Sequence, residues 1–133
     1  MSNASLALVQ DVYAKFGAGD VAGMLSAFDE DIRWVVVGEP GAYPTFGQVQ
    51  GRAAVGAFFA RLLEAEAITE FTPREFIADG DRVAVFGHLT TTVHATGKVV
   101  ASQWAHRFVV AGGKITDFLE FYDTAQYVAA ARA

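Results

Sequence analysis

The clearest alternation of apolar and polar residues runs over residues 99–123 and predicts two strands folded back on each other. Alternate side chains of a strand point to opposite faces, so each arm has one face that is rich in aromatic residues. The residues on these two faces are Trp104, His106, Phe108 and Val110 in the first arm and Phe118, Glu120 and Tyr122 in the second. A histidine, a carboxylate, a phenol and an indole therefore lie among large apolar side chains.

Two turns fit the Ala-Gly-Gly sequence between these arms, and they place different residues opposite each other. A two-residue loop over 112–113 pairs residues whose numbers sum to 225, which separates His106 from Glu120. A three-residue loop over 111–113 puts Glu120 diagonal to His106 and opposite Trp104. We favour the three-residue loop, because both arms then present one aromatic face.

The rest of the chain predicts helices first and strands afterwards. Apolar residues at helical spacing predict helices, and alternating runs between turn residues predict strands. The predicted helices are 5–16, 21–28, 52–64 and 124–131, and the predicted strands are 32–37, 70–77, 82–94, 99–110 and 114–122. Residues 38–51 form a long loop of the kind that is usually a lid or a rim, in which Tyr43 and Phe46 either close over a ligand or pin the loop. The order predicts an α+β fold with helices on one face of a mostly antiparallel sheet.

The hairpin over 82–110 decides which residues face the helices. A three-residue loop over 95–97 would put His88 opposite Trp104 and Phe86 opposite His106, so both would face the helices. The opposite face would then carry Val83, Val85, Leu89, Val93, Val109, Leu119 and Phe121. An antiparallel sheet with one wet face shows polar residues there. We therefore expect a second copy of the chain to cover this apolar face.

Composition narrows the class of protein. The 133 residues suit one domain over 1–133, and 53% hydrophobic with 19% charged residues indicates a large apolar interior. A net charge of −5 without a basic run argues against nucleic-acid binding. With no cysteine, no apolar run of membrane-spanning length and no signal-peptide pattern, we expect a cytoplasmic protein that neither binds nor crosses a membrane.

Four segments resemble the nuclear transport factor 2-like superfamily, in particular its SnoaL-like polyketide cyclases and ketosteroid-isomerase-related proteins. They are YAKFGAGD (13–20), FDEDIRW (28–34), GRAAVGAFFARL (51–62) and FVVAGGKITDFLEFYDT (108–124). The resemblance implies a cone-shaped barrel, in which a curved sheet wraps around N-terminal helices and its open end forms an apolar pocket. It also implies dimers that pair through the outer face of the sheet.

The resemblance does not carry over known catalytic residues. Steroid isomerases of this superfamily use an aspartate base with a tyrosine and a protonated aspartic acid as oxyanion donors. On this chain the tyrosine falls at Val12, beside Tyr13, the base at Val36 and the acidic donor at Ala105 or His106. Valine cannot abstract a proton, so that mechanism does not fit. The Arg-x-Asp pair of limonene-epoxide hydrolases is also absent, since residues 104–106 read Trp-Ala-His.

His106 and Glu120 are the candidate acid–base pair, and Tyr122 is the candidate donor to a substrate carbonyl. The alternative is that the pair is a structural hydrogen bond and Tyr122 a core residue. The predicted ligand-binding residues are Tyr13, Trp34, Val36, Tyr43, Phe59, Phe86, His88, Trp104 and Phe108. His88, His106 and Glu120 have the composition of a metal site, but their wide spacing on three strands argues against one, and we predict no metal and no cofactor.

These observations favour an enzyme that performs acid–base isomerisation, cyclisation or dehydration of a small apolar carbonyl compound. A non-catalytic pocket for an apolar metabolite would use the same walls. A dimeric module that binds a protein partner is the third hypothesis. The sequence does not identify the ligand, because this superfamily uses one fold for many chemistries.

Overall fold

A computed structural model describes residues 3–133 of the chain. The helices of this range are α1 (Ala4–Gly17), α2 (Val21–Leu25), α3 (Arg52–Ala65) and α4 (Thr124–Ala130). The strands are β1 (Phe28–Val36), β2 (Gly47–Gln50), β3 (Glu66–Asp79), β4 (Arg82–Val93), β5 (Val99–Ala111) and β6 (Lys114–Tyr122). None of the helices in residues 3–133 is long and apolar enough to cross a membrane.

The six strands form one curved sheet in the order β2-β1-β6-β5-β4-β3. Strands β1 and β6 are parallel, and every other neighbouring pair is antiparallel. The sheet remains open, with β2 and β3 at its edges, and the N-terminal helices pack on its concave face. Val9 of α1, Val55 of α3 and Val83 of β4 are completely buried in the core between them. The predicted α+β fold with a cone-shaped sheet is confirmed.

Two boundaries differ from the pattern-based prediction because strands begin earlier than expected. Helix α2 ends at Leu25, since Phe28 already pairs with Ile115 of β6 at the start of β1. Strand β3 begins at Glu66, directly after α3, without a connecting loop. The loop before α3 also contains β2, a four-residue edge strand. Its sequence, GQVQ, has one apolar side chain and therefore did not predict a strand.

The predicted three-residue turn at 111–113 is wrong. Gly112 and Gly113 alone form the loop, with φ angles of 57° and 76°, which suits the two-residue turn that requires positive φ at both positions. The ladder then shifts by one residue at Thr116, an extra residue in β6 that forms a bulge. The bulge places His106 directly opposite Glu120. The two residues therefore meet as expected, although the turn by itself would have separated them.

The predicted register of β4 against β5 is also wrong, by one residue. Val93 donates its backbone N–H to the carbonyl of Lys98 (2.9 Å), so the connection has four residues, 94–97, and not three. A shift of one residue turns every side chain to the other face. Consequently Phe86 and His88 face outward, and they are not in the pocket wall as predicted. The inward residues of β4 are Val83, Val85, Leu89 and Val93, which were expected outside.

Gly87 explains why this register packs well. It lies opposite Trp104 on the concave face, where a Cβ atom would stand 2.3 Å from Cζ2 of the indole and 2.5 Å from the carbonyl oxygen of Thr72. Real Cβ atoms do not approach other atoms so closely. Only glycine therefore leaves room for the Trp104 ring.

Candidate active site

A cavity of about 70 Å³ lies between the helices and the concave face of the sheet. This volume holds a few water molecules, and a six-membered ring requires lining side chains to move outward, since a cavity of ~150 Å³ holds benzene. Its walls are mostly aromatic and aliphatic side chains, and among residues 3–133 no lysine or arginine lines it. The predicted site residues that line it are Tyr13, Trp34, Phe59, His106, Phe108, Glu120 and Tyr122.

Three of these side chains form a hydrogen-bonded chain at one end of the cavity. The His106 Nε2 and Glu120 Oε2 atoms are 2.5 Å apart, and the Tyr13 hydroxyl lies 2.6 Å from His106 Nδ1. His106 is 6% exposed, so water does not compete for these bonds. Strand β5 supplies the histidine, β6 the carboxylate and α1 the phenol, which is 93 residues from the histidine along the chain.

The bonding pattern assigns donors and acceptors in this chain. A carboxylate only accepts, so His106 Nε2–H donates to Glu120, and Nδ1 is left to accept the hydroxyl proton of Tyr13. Burial, and after it the charge of Glu120, raises the pKa of Tyr13, which keeps this phenol protonated. The Oε1 atom of Glu120 makes no hydrogen bond within the described range. This oxygen is available to a ligand.

Aromatic rings pack around the imidazole. Trp104 stacks on His106 with 4.1 Å between ring centroids, and Phe71 stacks on Trp104 at 4.8 Å. The Tyr13 ring is parallel to the imidazole within 4°. Trp104 thus supports the His106 ring by stacking. Contrary to the prediction, Trp104 does not line the cavity.

A second polar cluster in the cavity wall is centred on Glu66, a residue that was not among the predicted site residues. Its carboxyl oxygens accept hydrogen bonds from the Tyr43 hydroxyl (2.5 Å) and the Thr91 hydroxyl (3.2 Å). The residue is 2% exposed, and burial raises the pKa of its carboxyl group. Tyr43 does not line the cavity, but its bond to Glu66 fixes the long loop against the cone.

Two stacked tyrosines complete this second cluster. The rings of Tyr122 and Tyr127 are 4.3 Å apart and inclined by 17°. The Tyr122 hydroxyl lies 3.5 Å from the Thr45 hydroxyl, which is a long hydrogen bond. The Tyr127 hydroxyl is buried and has no hydrogen-bond partner in residues 3–133. Burial raises the pKa of both phenols. Tyr127 was not predicted as a site residue. It is the one aromatic residue of α4, and this was the only feature of the sequence that could have pointed to it.

The remaining predicted residues lie outside the cavity. Val36 is buried beside Glu120 in the parallel ladder but does not reach the cavity. Phe86 is 43% exposed on the outer face, and His88 Nδ1 lies there 2.7 Å from Glu70 Oε1. His88 and His106 are therefore on opposite faces. Residues 3–133 contain no group of three or more potential metal ligands.

A family model described as a SnoaL-like domain matches residues 9–118. An uncharacterized protein of Mycobacterium tuberculosis is 31% identical over 123 residues, which span 90% of this chain and 89% of that protein. Both matches extend over most of the chain, so they concern the whole fold and not an isolated motif.

Solved structures of similar proteins share the fold over almost their full length. A nuclear transport factor 2 (NTF2)-like protein from Burkholderia xenovorans has a TM-score of 0.88 and 33% identity, with 99% of both chains covered. TerC, co-crystallized with polyporic acid, has a TM-score of 0.87 and 27% identity, with 98% of this chain and 100% of TerC covered.

Proposed function

The chain belongs to the SnoaL-like family, and on that basis we propose that it is a cofactor-independent acid–base enzyme for a small, apolar carbonyl compound. The observation that carries the proposal is the His106–Glu120 pair at the wall of an apolar cavity, in which the histidine is buried and the glutamate side chain is 13% exposed. A carboxylate that is largely removed from water and backed by an imidazole is a suitable general base. The adjacent aromatic walls suit an apolar substrate.

The proposed chemistry begins with proton transfer from carbon. Glu120 Oε1 removes a proton from the carbon next to the substrate carbonyl, and His106 stabilises the arrangement through its bond to Oε2. The hydroxyl of Tyr122 donates to the carbonyl oxygen as negative charge develops on it. Return of the proton to another carbon gives isomerisation. Attack of the enolate on a second carbonyl carbon gives cyclisation when the new alkoxide takes the proton back from Glu120, and departure of a β-hydroxyl group with that proton, as water, gives dehydration.

The position of Glu120 supports this assignment of the base. Val36 stands where related steroid isomerases carry their base, and it lies directly beside Glu120 in the parallel β1–β6 ladder. A carboxylate on β6 can therefore reach a similar part of the cone from the neighbouring strand. The absence of lysine and arginine from the cavity wall favours a neutral substrate over an anionic one.

A non-catalytic pocket is the second candidate function. The similarity to TerC favours this candidate, because TerC was co-crystallized with polyporic acid, which is a small organic molecule. In that case the Tyr13–His106–Glu120 chain would serve only to satisfy buried polar groups. The two functions differ in whether a bound carbonyl compound exchanges protons.

We also propose that two copies of the chain pair through the outer face of the sheet. Phe86, Ala105 and Phe121 follow one another across three strands there, and Phe86 and Phe121 are 43% and 49% exposed. Ile77, on the neighbouring row, is 52% exposed. A row of exposed large apolar side chains on a regular sheet is typical of a covered interface. A second copy of the chain presents the same apolar row, so the two rows can bury each other in a two-fold interface.

The test of the enzymatic proposal is deuteration of cyclohexanone in D₂O, followed by proton NMR. The protein is expected to accelerate exchange of the protons next to the carbonyl, and methylenecyclohexane, which has the same shape without the oxygen, should inhibit by filling the cavity. Binding of cyclohexanone without faster exchange would favour the non-catalytic pocket. Exchange that methylenecyclohexane does not inhibit would place the activity elsewhere.

A further inference from the structure

The hydroxyl of Tyr127 is one of two buried polar groups on cavity-lining residues that make no hydrogen bond within residues 3–133; the other is the indole nitrogen of Trp34. Tyr127 is 1% exposed, lines the cavity and makes no hydrogen bond through its hydroxyl in the described part of the chain. A buried donor without a partner destabilises a protein, and native structures rarely retain one without a function. The hydroxyl lies near enough to Glu66 to lower the pKa of that carboxyl group, but it stays outside hydrogen-bond geometry, and Glu66 accepts instead from Tyr43 and Thr91.

The surrounding structure fixes this phenol in place. Asp123 caps α4, which carries Tyr127, by accepting the backbone N–H of Gln126. The hydroxyl of Thr96, in the β4–β5 turn, bonds the carbonyl oxygen of Ala130 at the other end of the helix at 2.5 Å. The ring itself packs between Tyr43 at 5.1 Å and Tyr122 at 4.3 Å. A donor whose helix is held at both ends and whose ring contacts two other tyrosines is positioned before a ligand arrives.

The charges of the cavity determine which ligand group suits this donor. Burial, and after it the charges of Glu66, Tyr122 and Glu120, raises the pKa of Tyr127, so that its hydroxyl keeps its proton. An anionic group would meet the carboxyl groups of Glu66 and Glu120 without a lysine or arginine in the wall to balance it. A neutral oxygen that accepts a hydrogen bond meets no such repulsion. Tyr122, stacked on Tyr127 and held only by a 3.5 Å bond to Thr45, can donate to the same oxygen.

We infer that Tyr127 is a specificity-determining residue whose phenol, together with that of Tyr122, binds a neutral carbonyl oxygen of the ligand. The inference rests on the proposed function for the class of ligand, and it adds a second donor that faces the substrate oxygen. It also predicts that the protein distinguishes a ketone from a hydrocarbon of equal shape by means of this hydroxyl group.

The experiment compares the binding of cyclohexanone and methylenecyclohexane to the wild type and to Tyr127→Phe, by NMR titration of the protein. The wild type is expected to prefer the ketone by about twofold to tenfold for each net hydrogen bond that the ketone oxygen accepts. Tyr127→Phe should lose the part of this preference that Tyr127 provides, a factor of about two to ten, while its Tm stays equal or rises, because the removed hydroxyl makes no hydrogen bond within residues 3–133.

Tyr43→Phe is the matched control, since it removes a buried hydroxyl that is already bonded to Glu66. It should lower the Tm and keep the preference for the ketone. A wild type without preference for the ketone, or a Tyr127→Phe protein that retains it in full, would overturn the inference. This inference and the proposed enzymatic function can fail separately. Faster deuteration without a preference for the ketone would support the enzymatic function and contradict the role of Tyr127. A preference for the ketone without faster deuteration would contradict only the enzymatic function.

Discussion

At the scale of single residues, two glutamates face the same cavity with different partners. Glu120 is bonded to a histidine and keeps one carboxylate oxygen free of hydrogen bonds within the described range. Glu66 is bonded to two hydroxyl groups, and its burial disfavours the ionised form. The neighbours of a carboxyl group decide its role. We therefore assign proton transfer to Glu120 and a positioning role to Glu66, which holds the Tyr43 loop.

Glu66→Gln is expected to gain stability relative to the wild type as the pH rises from about 4 to 7. The folded-state pKa of Glu66 lies above its unfolded value, so the wild type loses stability as the pH rises through these two values. Glutamine has a similar shape, can still accept from Tyr43 and carries no charge. Urea unfolding at both pH values measures the difference.

Glu70→Gln is the control with the opposite sign. Hydrogen bonds from Thr72, His88 and Thr90 lower the pKa of Glu70, so this residue stabilises the fold above its unfolded pKa, and that stability is lost as the pH falls. Glu70→Gln should therefore lose stability relative to the wild type as the pH rises. If both variants changed in the same direction, the account of Glu66 would be wrong.

At the scale of helices and strands, alternation predicted which residues share a face of one strand but not how neighbouring strands align. His106, Glu120 and Tyr122 were found because each lies on a strongly patterned strand. In β4 the set with Val83, Val85 and Leu89 is the more apolar one and is buried, but the assumed turn length outweighed this pattern, and one extra turn residue reversed the assignment of Phe86. Glu66 was missed because no loop separates α3 from β3.

Gly87→Ala is expected to destabilise the protein by about 1–3 kcal/mol, because the added methyl group meets the Trp104 ring on one side and the Thr72 backbone on the other. Displacement of Trp104 should also loosen His106, on which it stacks. Gly56→Ala is the control. Its Cβ would find only Leu25 at 3.4 Å, and alanine favours a helix, so its stability should rise by roughly 0.5–1 kcal/mol. Equal stability of the two variants in urea unfolding would contradict this view of the β4–β5 packing.

At the scale of the whole molecule, the cone brings together groups that are distant in the sequence. The parallel pairing of β1 with β6 closes the wall beside Glu120, and α1 delivers Tyr13 to His106 across 93 residues. The resemblance to a known superfamily predicted this architecture, whereas periodicity alone predicted only its elements. The same curvature turns one face of the sheet inward and leaves the row of Phe86 and Phe121 outside.

Phe86→Glu is expected to convert the proposed dimer to a monomer, with a dimer dissociation constant raised about tenfold or more. The charge would replace one of the two exposed phenylalanines of the apolar row on the outer face. Sedimentation velocity measures the change, and Leu63→Glu serves as control, because Leu63 is also exposed (61%) but lies on α3. A monomeric wild type, or equal effects of the two substitutions, would argue against this interface.

The central claim, that Glu120 transfers the proton, is tested most directly by deuteration of cyclohexanone with Glu120→Gln. The account predicts a loss of about a hundredfold or more in the exchange rate, with cyclohexanone binding within a few-fold of the wild type. Glu70→Gln, which alters the other glutamate bonded to a histidine but on the outer face, should exchange at the wild-type rate. An unchanged exchange rate in Glu120→Gln would contradict the account.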